Sequence, residues 1–411
     1  MKKIIIILSL ICISRTGLAD QFHYNDILIG DRASGLGGAY TAVSDDPSGM
    51  FYNPAGIVYA PETNTSSSAL AYQAKDKTYK NVIGGNDWIR RSTSFVPNFF
   101  GVLQPVGSSV YGISFAMPEA VDEHQAQTFS NITGIDEYSI DLDEQDTIYK
   151  VGPSFASWLT DSLSYGVTLY FHSRERITSF NQVANLVANP TDSTEYDWTN
   201  LQIASSEFGI EPVFGLMWSP TERTSFGASV RKVFVLSAQT REECTKQALT
   251  AGSFCGGVSF NAGDYKHVIR TTSGSYIEPS WETRLGWATF PNSRDMYSAD
   301  FNIHYGGGWV TTWNAALGYE HFFSARWNAR LGLYTNNANT GTPTASNALE
   351  HIDEIGTSLS IGRFTRTSSV SVGISYLQGS GTKSGLNDID PSPVLVDSSS
   401  MTFFLSAYYT N

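Results

Sequence analysis

The feature that most constrains this chain is an alternation of apolar with small or polar residues that sets in near residue 94 and recurs to the C-terminus. In LSYGVTLYFHSRER, residues 163 to 176, Leu163, Tyr165, Val167, Leu169 and Phe171 share one face. Ser164, Gly166, Thr168, Tyr170, His172, Arg174 and Arg176 share the other. YSADFNIHY, residues 297 to 305, repeats the pattern. A period of two is that of a strand, and an apolar face backed by a polar one suits a wall between lipid and a wet lumen. The alternating segments are joined in pairs by tight polar turns at 105–109, 159–162, 219–223, 291–294, 323–326 and 364–367, which implies six hairpins. The links between hairpins are long and polar, as in the 27 residues from Glu119 to Gln145 and the segment after residue 237. Short connections at one end and long ones at the other are the pattern of an outer-membrane barrel. With a first strand near 63–74 and a last near 399–410, the expectation is an all-β, 14-stranded antiparallel transmembrane barrel with both termini on the periplasmic side.

Composition agrees with a barrel carrying aromatic girdles: 23 Phe, 21 Tyr, 9 Trp and 36 Gly, with only 16% charged residues. Trp158, Trp218, Phe290, Phe323 and Trp327 flank the short turns and are expected to form the periplasmic belt. A net charge of −13 excludes a nucleic-acid binder. The opening MKKIIIILSLICISRTGLA has a basic start, an apolar run and a small-residue end, so residues 1–19 read as a signal peptide cut after Ala19. Cys12 invites a lipoprotein reading, but Ile11 before it is not small. After the signal, no apolar run approaches the ~20 residues of a membrane-crossing helix. The domains are then 1–19 signal, 20–60 an N-terminal segment and 61–411 the barrel, a monomer in the outer membrane of a Gram-negative bacterium. The last strand, MTFFLSAYY, resembles the C-terminal signal read by the barrel-assembly machinery, although Thr410 and Asn411 follow its final aromatic residue.

Residues 35 to 56, GLGGAYTAVSDDPSGMFYNPAG, do not alternate and precede the first strand. Fourteen strands enclose a bore wide enough to leak, and a compact segment inside would close it. Gly35, Gly37 and Gly38 permit close backbone approach, Asp45 to Gly49 make a turn, and Phe51, Tyr52 and Pro54 fill space.

RASGLGGAYTAVSDDPSGMFYNPAG resembles the N-terminal hatch of the FadL/TodX family of outer-membrane transporters for hydrophobic compounds, and Asn53-Pro54-Ala55 matches that family's NPA signature. The resemblance implies a hatch over residues 20–60 with Gly35, Gly37, Gly38, Phe51, Tyr52, Asn53, Pro54 and Ala55 at its gate. It also implies capture of a long-chain fatty acid or other lipophilic ligand from outside, followed by lateral exit into the membrane. The family places the wall gap in the third strand, here VYGISFAMP, where Gly112 could weaken the ladder and Pro118 could end it. A PorV-like branch, a shuttle of a secretion system with a similar barrel, is the alternative.

Candidate chemistry is sparse. His172, Arg174 and Arg176 lie on the polar face near the outer end of their strand and offer cations to a ligand headgroup. Glu282, Arg284, Asp300, His304, Glu320 and Arg330 fall on the lumen face, as ordinary ion pairs or, alternatively, as holders of the hatch. The acidic run DEYSIDLDEQD, 136 to 146, is expected to be a solvated loop, with calcium or lipopolysaccharide bridging as the other reading. Cys244 and Cys255 are expected to form a disulfide, because two cysteines with no histidine nearby are too few for a metal site. No GxSxG, HExxH or GxxxxGK[ST] is present, so no enzyme, cofactor or metal is expected.

Overall fold

The computed structural model describes residues 23–60, 65–132, 134–186, 196–247, 252–254, 258–275, 278–344, 349–384 and 393–410. The signal peptide and Cys255 lie outside them. Eighteen strands follow a short N-terminal segment: β1 (Thr65–Ile83), β2 (Asn86–Val106), β3 (Ser109–Phe129), β4 (Ile135–Thr160), β5 (Leu163–Leu186), β6 (Tyr196–Thr221), β7 (Thr224–Arg231), β8 (Phe234–Gln247), β9 (Gly252–Phe254), β10 (Val258–Phe260), β11 (Tyr265–Ser273), β12 (Trp281–Thr289), β13 (Asp295–Tyr305), β14 (Thr312–Ser324), β15 (Trp327–Asn336), β16 (Glu350–Phe364), β17 (Ser368–Lys383) and β18 (Val394–Thr410).

All but β9 and β10 join one antiparallel sheet, which closes where β1 meets β18 and β6 meets β7. On β6, Val213 pairs with Arg231 and Ile210 with Phe234, so β8 prolongs β7 past a break at Lys232 and Val233. β11 and β12 pair with β8 and β7 in turn, and the wall therefore has 14 staves. Closure is what makes the fold admissible in a bilayer, because hydrocarbon offers no partner to an edge N–H or C=O.

The six short turns stand where the alternation places them, for example between Val106 and Ser109 and between Thr160 and Leu163. Alternation also sets the faces: Ser164, Thr168, Tyr170 and His172 are buried toward the bore, while Leu169 and Phe171 are exposed to the outside. Met401, Phe403, Leu405 and Tyr409 of β18 likewise face outward.

Two expectations fail on the same physical point. Residues 119–145 are not a loop: β3 runs to Phe129 and β4 starts at Ile135, so the hairpin continues beyond the belt as paired strands. The stretch after residue 237 also continues as β8 and, from Tyr265, β11. Polar composition marks where lipid ends, whereas backbone pairing continues in water. The aromatic belt is thinner than composition suggests. Trp218, Phe323 and Trp327 face outward, but Trp158 pairs with inward-facing Ser164 and meets Tyr59 edge-on at 4.8 Å, and Phe290 packs on the core.

Leu317, 59% exposed near the middle of β14, gives a test of the lipid face. Leu317→Arg should lower stability by about 2–4 kcal/mol in lipid vesicles, measured by denaturant unfolding, while Leu317→Phe should be nearly silent.

Candidate functional site

Residues 23–60 contain only α1 (Asp31–Gly35), α2 (Gly49–Tyr52) and a 3-10 turn over Pro54–Tyr59. So short a set of elements leaves most backbone polar groups without internal partners, and buried ones must find them elsewhere. The wall supplies them. Ser164, Thr168, Ser225, Ser229 and Ser358 donate hydroxyl hydrogen bonds to the carbonyls of Ala55, Met50, Ala42, Tyr52 and Gly35. Asp300 Oδ2 accepts from the backbone N–H groups of Tyr40 and Thr41 at 3.0 and 2.9 Å. The partners lie on β5, β7, β13 and β16, around the circumference, so the segment occupies the bore.

Contact with the wall is closest at inward-facing glycines. A Cβ at Gly166 would strike the Pro54 carbonyl carbon, at Gly215 the Asn53 side chain and at Gly227 the Thr41 carbonyl. At Gly286 it would lie 2.7 Å from the Ala42 nitrogen, and at Gly332 it would meet the nitrogen of Gly37. Gly37 itself needs its φ of 65°, so both partners of that contact are glycine for separate reasons. Gly35 also sits tight, against Ser360 and Arg330, and Gly38 has a φ of 84°.

Asn53 gives the NPA motif a physical role. Its Oδ1 accepts from Ala55 N at 3.1 Å, and its Nδ2 donates to Thr41 O at 2.8 Å and to Leu216 O of β6 at 3.0 Å. Pro54 then starts the 3-10 turn, where its missing N–H costs nothing. The Tyr52 hydroxyl accepts from Ile29 N at 3.0 Å, tying the two ends of the segment together. Burial, and then the neighbouring Asp45, push the Asp46 carboxyl above its ordinary range.

The lumen charges divide by partner. Asp300, Glu320 and Arg330 bind the N-terminal segment: Glu320 accepts from Arg32 at 2.7 Å and Arg330 reaches Asp31 at 3.1 Å. Glu282 and Arg284 pair with each other, and Glu282 accepts from Arg231 at 2.8 Å. The expected headgroup cations are mostly committed. Arg174 forks onto Asp146 at 2.9 and 2.6 Å, and Arg176 meets Glu144 at 3.1 Å. Both acids belong to the run expected as a solvated loop. On β4 every second residue points inward, so Glu144 and Asp146 are buried partners of arginines, while Asp143 faces outward and binds His124. Cys244 is buried and disulfide-bonded.

Above the segment lies a cavity of ≈ 220 Å³, lined among others by Lys150, His172, Glu211, Arg231 and His304. Arg231, one of its lining residues, sits over Phe51 of the N-terminal segment, its guanidinium 4.3 Å from the ring centroid. Tyr24 stacks on His304 at 3.7 Å. Farther out, Tyr79, Trp88, Leu142, Phe180, Ile352 and Val396 converge from several strands into an apolar cluster. The cavity residues come from at least six strands, and only their inward parity was visible beforehand.

The wall is irregular beside this region. Register shifts fall between Ala69 and Ala71 on β1 against β2, and between Ala116 and Glu119 on β3 against β4. Between the pairs Phe99–Ala116 and Ser92–Glu123 no β2–β3 partner is present among the described residues. Pro118 lies in that interval. Gly112 keeps both its partners, Leu103 and Ser154, and makes room for the Met50 side chain. Ile27 packs at the interruption with Val96, Met117 and Ala120.

No family model and no curated protein matches the sequence. Solved structures do match the fold. A FadL homologue of Pseudomonas aeruginosa is similar with a TM-score of 0.66 at 13% identity over 94% of this chain and 99% of its own. The Pseudomonas putida toluene transporter TodX gives 0.65 at 13%, with 94% and 99% covered. The Ralstonia pickettii toluene transporter TbuX gives 0.64 at 13%, with 93% and 98% covered. The chain has the fold of these outer-membrane proteins.

Asn53→Ala removes a side-chain partner from three backbone groups, Thr41 O, Leu216 O and Ala55 N, at about 1–3 kcal/mol for each left unsatisfied. Gly215→Leu should displace the segment sterically. Both variants should keep the heat-modifiable gel mobility of a folded barrel yet raise single-channel conductance in planar bilayers and sensitivity to bulky antibiotics. Unchanged conductance in both would show that the segment is not what closes the bore. Arg174→Ala leaves buried Asp146 short of its forked partner and should cost about 3–5 kcal/mol, read as a lowered midpoint of denaturant unfolding in vesicles.

Proposed function

We propose that this protein is an outer-membrane uptake channel for hydrophobic small molecules, long-chain fatty acids first among them, with residues 20–60 acting as its hatch. The observation that carries this reading is the pairing of a filled bore with an interrupted wall. Residues 23–60 are hydrogen-bonded to inward-facing side chains of β5, β7, β13 and β16, while the β2–β3 ladder lapses among the described residues beside Ile27 and Pro118. A lipophilic molecule that enters such a barrel leaves sideways into the membrane, and Gly112 and Pro118 belong to the strand that would release it.

The energetics favour this route. An acyl chain gains about 0.8 kcal/mol per buried CH₂, so a lateral exit avoids returning the chain to water. The apolar cluster at the mouth offers a first resting place, and the polar band below it can hold a headgroup. The fold is shared with structures described as a FadL homologue, toluene transporters and a monoaromatic hydrocarbon channel, which supports hydrophobic cargo. Lipopolysaccharide surrounds the barrel in this reading, and no cofactor takes part.

Cells carrying the gene should take up radiolabelled oleate faster than cells without it, and Pro118→Ala should slow that uptake while leaving the barrel folded. Equal uptake with and without the gene, together with co-purification of a secreted protein's C-terminal domain, would transfer the reading to a secretion shuttle.

A further inference from the structure

The short-turn end of the barrel carries a charge pattern that the uptake reading does not use. Five exposed arginines, Arg223, Arg294, Arg326, Arg363 and Arg366, stand on four turns or their flanks: β6–β7, β12–β13, β14–β15 and β16–β17. Because β7 pairs with β12, these turns are consecutive around the ring. The β2–β3 turn, Gly107 and Ser108, is uncharged, and the β4–β5 turn contributes only Asp161. A chain of net charge −13 thus gathers a basic crescent over one arc of one rim.

The crescent is fixed by the backbone. Phe290 N donates to Arg223 O, Phe322 N to Arg294 O and Phe364 N to Arg326 O, each at 2.8 Å, so each turn is bonded to the next at its arginine. Arg223 Nη1 also donates to Pro291 O of the neighbouring turn at 3.3 Å. Consecutive turns lie two staves apart, about 10 Å, and the row extends about 30 Å.

Among the described residues, none of the five arginines forms an ion pair. Glu222 and Asp295 are the acids nearest in sequence, and Asp295 is taken up by His321, Tyr319 and Asn292 at 2.7, 2.8 and 2.8 Å. Cations toward the opposite end are matched to acids: Lys80, Arg91, Arg241 and Lys266 lie 3.3, 3.0, 2.8 and 3.6 Å from Asp87, Asp76, Glu243 and Asp264. Arg270 there stands opposite Glu242.

Water can solvate an exposed arginine, so the missing pairs gain their meaning from position. Arg363 pairs with Trp327 across β15 and β16, and its guanidinium lies 5.8 Å from that ring centroid. Trp218, Phe323, Trp327 and Ile361 face outward at the same edge. Aromatic side chains so placed sit at the headgroup level of a bilayer, which puts the arginines among headgroups. Short turns mark the periplasmic end, where the leaflet is built from glycerophospholipids. A guanidinium fork matches two oxygens of a phosphodiester. In phosphatidylethanolamine the headgroup's own ammonium competes for that phosphate; in phosphatidylglycerol the negative charge is unopposed.

We propose that this crescent is a binding surface for anionic phospholipids of the inner leaflet, whose phosphates are held along the row of turns, with Arg363 beside Trp327 as the site nearest the acyl region. A periplasmic protein with an acidic face is the other class of partner. Arg363 argues against it, because its guanidinium lies on the lipid side of the wall, above the turn tips. The inference does not depend on what the barrel transports.

The test uses the full chain in nanodiscs of phosphatidylethanolamine and phosphatidylglycerol in equal parts, with the lipids retained on the released protein counted by native mass spectrometry. Wild type should retain phosphatidylglycerol at least about fivefold over phosphatidylethanolamine, the scale of one arginine at an anionic surface. Replacing the row in one variant, R294Q/R326Q/R363Q/R366Q, should bring that ratio close to one. K80Q/R91Q, at the opposite end, should leave it unchanged. Heat-modifiable gel mobility shows that each variant is folded. In wild type, raising NaCl from about 0.05 to about 0.5 M should lower the ratio as the contacts are screened. An equal ratio in wild type and the four-glutamine variant, an equal fall in K80Q/R91Q, or a ratio indifferent to salt would overturn the proposal. So would an unchanged lipid ratio together with an acidic periplasmic protein that binds wild type and not the four-glutamine variant, which would assign the crescent to a protein partner.

Discussion

Everything inside this barrel depends on a backbone that touches another backbone. The N-terminal segment lies so close to the wall that inward-facing glycines on β5, β6, β7, β12 and β15 meet its main chain directly. At that distance the wall's serines and threonines reach carbonyls that a segment with so little secondary structure leaves unpaired. Close approach and hydrogen bonding are therefore one device. Without the glycines the hydroxyls would stand too far off, and without the hydroxyls the buried carbonyls would be orphaned.

The charged band above the segment follows from the same closure. A wide barrel cannot fill its bore with side chains alone, so cations and acids from facing strands meet across it in pairs such as Arg174–Asp146 and Lys150–Glu211. Such pairs contribute little net stability against their desolvation, but removing one partner is expensive. They hold the staves in register around a cavity that stays polar, and they leave a few donors exposed to whatever enters. Apolar side chains at the mouth and polar ones below give the bore a gradient suited to an amphiphile.

Interruption of the wall occurs where strands bulge, at Met117 and Pro118 and again at Lys232 and Val233. Glu119 beside the first and Lys232 at the second line the same cavity, and His23 and Tyr24 of the N-terminal segment line it too.

Much of this was legible in the chain itself. Alternation with period two placed the turns, the strand count and the inward face of residues such as His172 and Asp300, because a pleat leaves a side chain no other choice. The glycine-rich stretch and Asn53-Pro54-Ala55 marked the segment that would not be strand. Partners were not legible. The alternation states that Arg174 points inward and is silent about Asp146 opposite it, since register between strands depends on closure of the whole ring. For the same reason the acidic run read as a loop, and Asp300, one candidate holder of the N-terminal segment, could not be matched beforehand to the amides of Tyr40 and Thr41. Local sequence determined what each strand is and which way each residue points; only the closed cylinder, which fixes the stagger of every strand against the next, decided which residues meet.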